Sequence, residues 1–258
     1  MLHTLKDLQH YAIWATDGAV GHLADLYFDD QAWIVRYFVV ATGGWLAGLE
    51  VLISPLALSR APCRDKTLPV SITRAQVKES PDIDTHKPVS RQHESLLLTY
   101  YNFPFYWGDA GLWGGAPYAG ITLAGAGIED DEALAHTDTE DHHLRSAKAM
   151  IDYRVQAKDD HVGHVCELVI DEHSWAVRYI IVDIGSWWHG HQVLIAPEWI
   201  DDVSWLDRTV SVDLTRSAVE TAPIYDASAP PEDGAHDRGL YTANGPIDRD
   251  VGRRQPPA

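Results

Sequence analysis

With 258 residues, 38 of them acidic and 20 basic, the chain carries a formal net charge of −18. Its few Lys and Arg are scattered, so the field repels phosphate backbones and excludes nucleic acid as a partner. Anionic lipid is repelled as well, which restricts membrane contact to peripheral docking by apolar groups. Two cysteines, Cys63 and Cys166, make no disulfide framework and fit a reducing cytoplasm.

Residues 1–11 include His3, Lys6 and Asp7 and lack an apolar core of signal-peptide length, so no leader is expected. No uninterrupted apolar run is long enough for a spanning helix. Residues 2–8 lead into a first strand over 11–15. Residues 20–28 alternate in character, the period of two that marks a strand. Asp29-Asp30-Gln31-Ala32 is a turn, and residues 33–42, rich in β-branched and aromatic types, predict an antiparallel partner strand. Gly43 and Gly44 end it, and Gly48 marks the next turn. Val51 to Pro55 reads as a third strand closed by a proline, and residues 68–72 as a fourth. Thr73 is placed to cap a short helix over 73–79, with Gln76 as its capping-box partner.

Residues 82–143 are a connector in three parts. The spacing of Leu96, Leu97, Tyr100 and Tyr101 predicts a helix over 90–101 with those four as its apolar stripe. An aromatic, Gly-rich stretch continues to residue 127, with Asp109 as its single charge. Three readings fit that stretch: a cover packed across the repeats, a docking surface, or shallow membrane contact. Residues 129–141 form an acidic, solvated linker.

Residues 144–225 repeat the first unit. Shifted by 142 positions and with no gap, residues 17–58 and 159–200 are identical at 18 of 42 positions. The match extends to Tyr11/Tyr153, Thr73-Arg74/Thr215-Arg216 and Pro81/Pro223. The chain is therefore a tandem duplication of a small β-rich unit. Its four parts are 1–81 (first repeat), 82–143 (connector), 144–225 (second repeat) and 226–258. The last is rich in Pro, Gly, Asp and Ala and is expected to be a disordered tail.

Several duplicated features resemble the PRC-barrel family. They are Asp17-Gly18 running into Val20-Gly21 and Val162-Gly163, the acidic hairpin turns, Arg36-Tyr37 and Arg178-Tyr179, the Gly-x-Trp turns at 43–48 and 185–190, and Val-Leu-Ile-x-Pro at 51–55 and 193–197. That family includes the cytoplasmic domain of the photosynthetic reaction-centre H subunit. The resemblance implies a mainly β fold of two tandem small antiparallel β-barrels with short helices. It also implies a binding and assembly scaffold with no shared catalytic residues.

Among polar groups, Arg36 and Arg178 lie inside apolar strands and need carboxylates. Asp25 and Glu167, on the hairpin neighbours, are the expected structural partners. His22 and His164 fall on the apolar parity of their strands and are expected to bond backbone at the barrel rim. Trp33 and Trp175 open the central strands as core or rim plugs. Trp45, Trp187, Trp188, Tyr106, Trp107 and Trp113 are the candidate contact surface for a partner. His189, His191, His142 and His143 are the only candidates for a metal, and they fall short of the three or four ligands a zinc site requires. Neither a cofactor motif nor a nucleophile motif is present, so the chain is read as non-enzymatic and without cofactor.

The sequence thus predicts a cytoplasmic adaptor or assembly module that binds a protein partner and is able to pair as a homodimer. The alternatives are an H-subunit-like accessory peripheral to the inner membrane and bound to an electron-transfer complex, and a metal- or small-molecule-binding stress protein. Protonating all fourteen histidines would take the charge from −18 to −4, so mild acid is expected to promote association.

Overall fold

The computed structural model describes residues 1–59, 66–81, 89, 91–106, 144–185 and 191–227. The first repeat contains β1 (Leu2–Thr4), α1 (Leu5–Leu8), β2 (Ala12–Ala15), β3 (Gly18–Asp29), β4 (Ile34–Ala41), β5 (Glu50–Ile53), β6 (Thr67–Pro69) and α2 (Arg74–Glu79). After α3 (Arg91–Tyr101), the second repeat runs through β7 (Leu144–Ser146), α4 (Ala147–Met150), β8 (Arg154–Gln156), β9 (His161–Asp171), β10 (Val177–Asp183), β11 (Gln192–Ile195), β12 (Ile200–Ser204), β13 (Thr209–Val212) and α5 (Arg216–Glu220).

The fold is mainly β, in two mixed sheets ordered β5-β4-β3-β2-β6 and β11-β10-β9-β8-β13-β12. Two separate antiparallel barrels are not what forms: neither sheet closes, and each contains one parallel pair, β2 with β6 and β8 with β13. The first strand of each repeat crosses to the other repeat. Strand β1 adds to β9, with Leu2 opposite Asp171, and β7 adds to β3, with Leu144 opposite Asp29. The exchange obeys the 142-residue offset. At its centre Val35 N–H donates to the Trp175 carbonyl and Val177 N–H to the Trp33 carbonyl, both at 2.8 Å. A pseudo-twofold axis runs between these two bonds.

One core fills the space between the repeats, drawing Leu23, Leu26 and Phe38 from the first and Leu168, Ile180 and Val210 from the second. A unit of this size on its own buries only about 60% of its unfolded surface. Pooling the two inner faces and trading edge strands answers that shortage and covers two edges that would otherwise template aggregation.

Two duplicated glycines explain the Val-Gly signature. A Cβ on Gly21 would lie 2.0 Å from the Ala41 carbonyl oxygen, and one on Gly163 2.0 Å from that of Asp183. Only glycine lets the end of each central strand approach so closely. Helix α2 carries the predicted capping box between Thr73 and Gln76. The Asp17 and Asp159 carboxylates accept from Arg74 N–H and Arg216 N–H, both at 2.7 Å, so the duplicated Asp fastens the strand turn to a helix start.

Helix α3 lies on the outer face of the first sheet, where Leu97 packs with Tyr27, Tyr37, Val39 and Leu52. Its buried face is Glu94, Leu97, Leu98 and Tyr101, not the predicted stripe; Leu96 is 53% exposed. The i, i+3, i+4, i+7 series starts from a carboxylate, and apolar counting alone passes over it.

Candidate functional site

The site begins at the two hairpin turns. Asp29 Oδ1 accepts from Gln31 N–H and Ala32 N–H, while Oδ2 pairs with Arg36 at 3.2 Å. In the second repeat Asp171 Oδ1 accepts from His173 N–H, and Oδ2 takes the Ser174 hydroxyl and Arg178 at 3.4 Å. One carboxylate therefore shapes the turn and neutralises an arginine seven residues on. This corrects the expected pairs Arg36–Asp25 and Arg178–Glu167. The cause is a bulge: the ladder skips between Val35 and Tyr37, and between Val177 and Tyr179, which swings each arginine toward the hairpin mouth.

Asp25 and Glu167 instead hold the strand exchange. Asp25 accepts from the Ser146 hydroxyl at 2.5 Å and from Lys148 N–H at 3.1 Å, capping α4 from the opposite repeat. Glu167 takes the backbone N–H of Lys6 in α1. Burial raises the pKa of both carboxyls, against the lowering effect of those bonds. At Asp171 burial also pushes upward, but Ser174, His173 N–H and Arg178 outweigh it and hold the carboxyl at about 2.

Beyond the turns, the repeats differ. In the first, the Tyr106 ring lies 3.9 Å from the Arg36 guanidinium, and the Tyr106 and Tyr37 hydroxyls both bond Glu94. Burial and the Glu94 carboxylate push the Tyr37 phenol well above its ordinary range. Only a void of about 20 Å³ remains between Leu98, Pro104, Tyr106 and the strands, too small for more than a single water. At the matching place in the second repeat there is a groove of about 800 Å³. Arg178, Tyr179, Ala196 and Glu198 line it at positions equivalent to Arg36, Tyr37, Ser54 and Leu56, and Trp33 and Ile200 close one side. Arg36 is 9% exposed and Arg178 46%. Among the described residues no ring lies over Arg178.

Two of the six candidate contact residues are described, and both face inward. Tyr106 plugs the first groove. The Trp45 indole N–H bonds the Val20 carbonyl at 2.5 Å, and Arg74 stacks on its ring. Trp107, Trp113, Trp187 and Trp188 lie outside the described residues, as do His142, His143, His189 and Cys63. His191 is exposed, and no cluster of three or more metal-ligating side chains occurs among the described residues. His22 and His164 are exposed rather than bonded into a rim, because the strand bulges turn them outward. Trp175 is buried edge-on against Phe38, and the half-buried Trp33 stacks on Phe28. Burial pushes the Cys166 thiol up to about 11, aided by Asp183 and Glu167, which leaves it unreactive.

The residues that sequence reasoning missed are Asp29, Asp171 and Glu94. The Asp-to-Arg spacing of seven, present in both repeats, is the signal that could have found the first two. No protein-family model and no curated protein matches this chain.

Proposed function

We propose that this chain is a non-enzymatic scaffold, similar to the PRC-barrel family in its repeat unit, that binds a segment of a partner protein in the groove beside Arg178. The observation that carries this reading is the inequality of two equivalent grooves. The first accepts Leu98, Pro104 and Tyr106 against Arg36, which indicates what such a groove takes: an extended or helical segment with an apolar side chain and a group that satisfies an arginine. The second offers the same backbone and the same arginine, half exposed, with Glu198 at its rim. Groove volume and mixed lining suit a peptide segment better than a small polar substrate. Among the described residues no helix is long and apolar enough to cross a membrane, so the reading needs no membrane anchor.

The test compares capture by the whole chain with capture by Arg178→Glu and Ala196→Arg variants. A protein retained by the unaltered chain and lost from both variants supports the groove as the contact. Equal retention by all three overturns it.

A further inference from the structure

The groove beside Arg178 has an occupant written in the same chain. The 142-residue repeat does not stop at Pro81/Pro223: Asp84/Asp226, Pro88/Pro230, Leu98/Leu240, Asn102/Asn244 and Pro104/Pro246 continue it without a gap. Leu98 and Pro104 are two of the residues that fill the first groove. Carried over residue by residue, Leu240 matches Leu98, Pro246 matches Pro104, and Asp248 matches Tyr106, the residue lying over Arg36. We propose that residues 240–248 of the C-terminal segment dock in the groove beside Arg178 and compete there with the partner.

Three observations support the placement. First, the described chain already enters the groove's sheet: Tyr225 N–H donates to the Gln192 carbonyl at 2.7 Å, and Leu194 N–H to the Pro223 carbonyl at 2.9 Å. Residues 226–239 then provide 14 residues of reach, on the order of 40 Å when extended, ample for a return to a groove on the same sheet. Second, charge fits: an aspartate replaces the tyrosine, and a carboxylate is the natural partner of a half-exposed guanidinium. Third, the match is weaker in apolar content. Gly239 and Ala243 stand where α3 has Leu97 and Tyr101, so the segment buries less surface than α3 does. A cover held by less apolar area is easier to displace, which suits a competitor rather than a permanent plug.

This inference rests on the groove being the partner site, and disulfide trapping in the full-length chain separates the two. Ala196→Cys is paired with Leu240→Cys, and with Pro256→Cys as a tail control, and the linked peptides are identified by mass spectrometry. Docking predicts that the 196–240 link forms about ten-fold faster or more than the 196–256 link, at a rate independent of protein concentration. Equal rates overturn it, and so does a rate that scales with concentration, which would place a second copy's tail in the groove. The 196–240 link should also abolish partner capture, and Asp248→Arg should slow the link and increase capture. A fast link with capture indifferent to Arg178→Glu retires the partner site while leaving the docking intact. Capture that needs Arg178, without preferential linking, retires the docking alone.

Discussion

Arg36 and Arg178 occupy the same position in two copies of one sequence, take the same kind of carboxylate, and live in different surroundings. Arg36 is sealed beneath Tyr106 and Leu98; Arg178 faces a groove. The difference does not lie in the repeated unit. It lies in the chain immediately C-terminal to each copy: an aromatic, leucine-rich helix after the first, and a glycine-rich acidic segment after the second. Duplication supplied two equal surfaces, and the flanking chain made one structural and left the other available for binding.

The sharpest way to break this comparison is to delete both arginines in turn. Removing Arg36 leaves Asp29 buried without its counter-ion, and Arg36→Ala should cost about 3–5 kcal/mol in denaturant unfolding. Arg178→Ala removes a half-exposed pair and should cost about 1 kcal/mol or less. Equal costs would mean that the grooves are equivalent after all. Next in size is a change that should not distinguish the repeats: Gly21→Ala and Gly163→Ala each force a strand end off a carbonyl, at about 3 kcal/mol apiece. A large asymmetry there would show that the two sheets do not share one geometry. Tyr106→Ala should cost about 1–2 kcal/mol by uncovering Arg36.

A smaller effect depends on pH. Asp171 is depressed to about 2, so the stability it contributes is complete above the ordinary carboxyl pKa of about 3.9 and is lost as pH falls from there toward 2. Asp171→Asn should flatten the acid limb of the stability curve in that window. The raised carboxyls of Asp25 and Glu167 act with opposite sign: their charged forms cost stability, and the cost is relieved as pH falls through their raised values. If Asp171→Asn leaves the acid limb unchanged, the hairpin carboxylate is not holding its arginine.

The strands, hairpins and helix cap of each repeat were legible because alternation, turn chemistry and the Thr73/Gln76 spacing are local signals. The 142-residue offset added the equivalence of the copies. The destination of the edge strands could not be read. Leu2–Thr4 and Leu144–Ser146 are equally compatible with their own sheet or the other, and only tertiary packing decides for exchange. The same limit hid the ion pairs: strand parity assigns Arg36 to Asp25, but a bulge carries it to Asp29. Glu94 escapes a sequence reading because a carboxylate inside a leucine-rich helix is taken for a solvent-facing residue until its phenolic partners are seen.

One core with traded edge strands implies one cooperative unit, and equilibrium urea unfolding of the whole chain, monitored by tryptophan fluorescence and far-ultraviolet circular dichroism together, tests this most directly. The account predicts a single coincident transition, in which Gly21→Ala in the first repeat lowers the midpoint for both halves. Two separable transitions, with that substitution shifting only one of them, would contradict it.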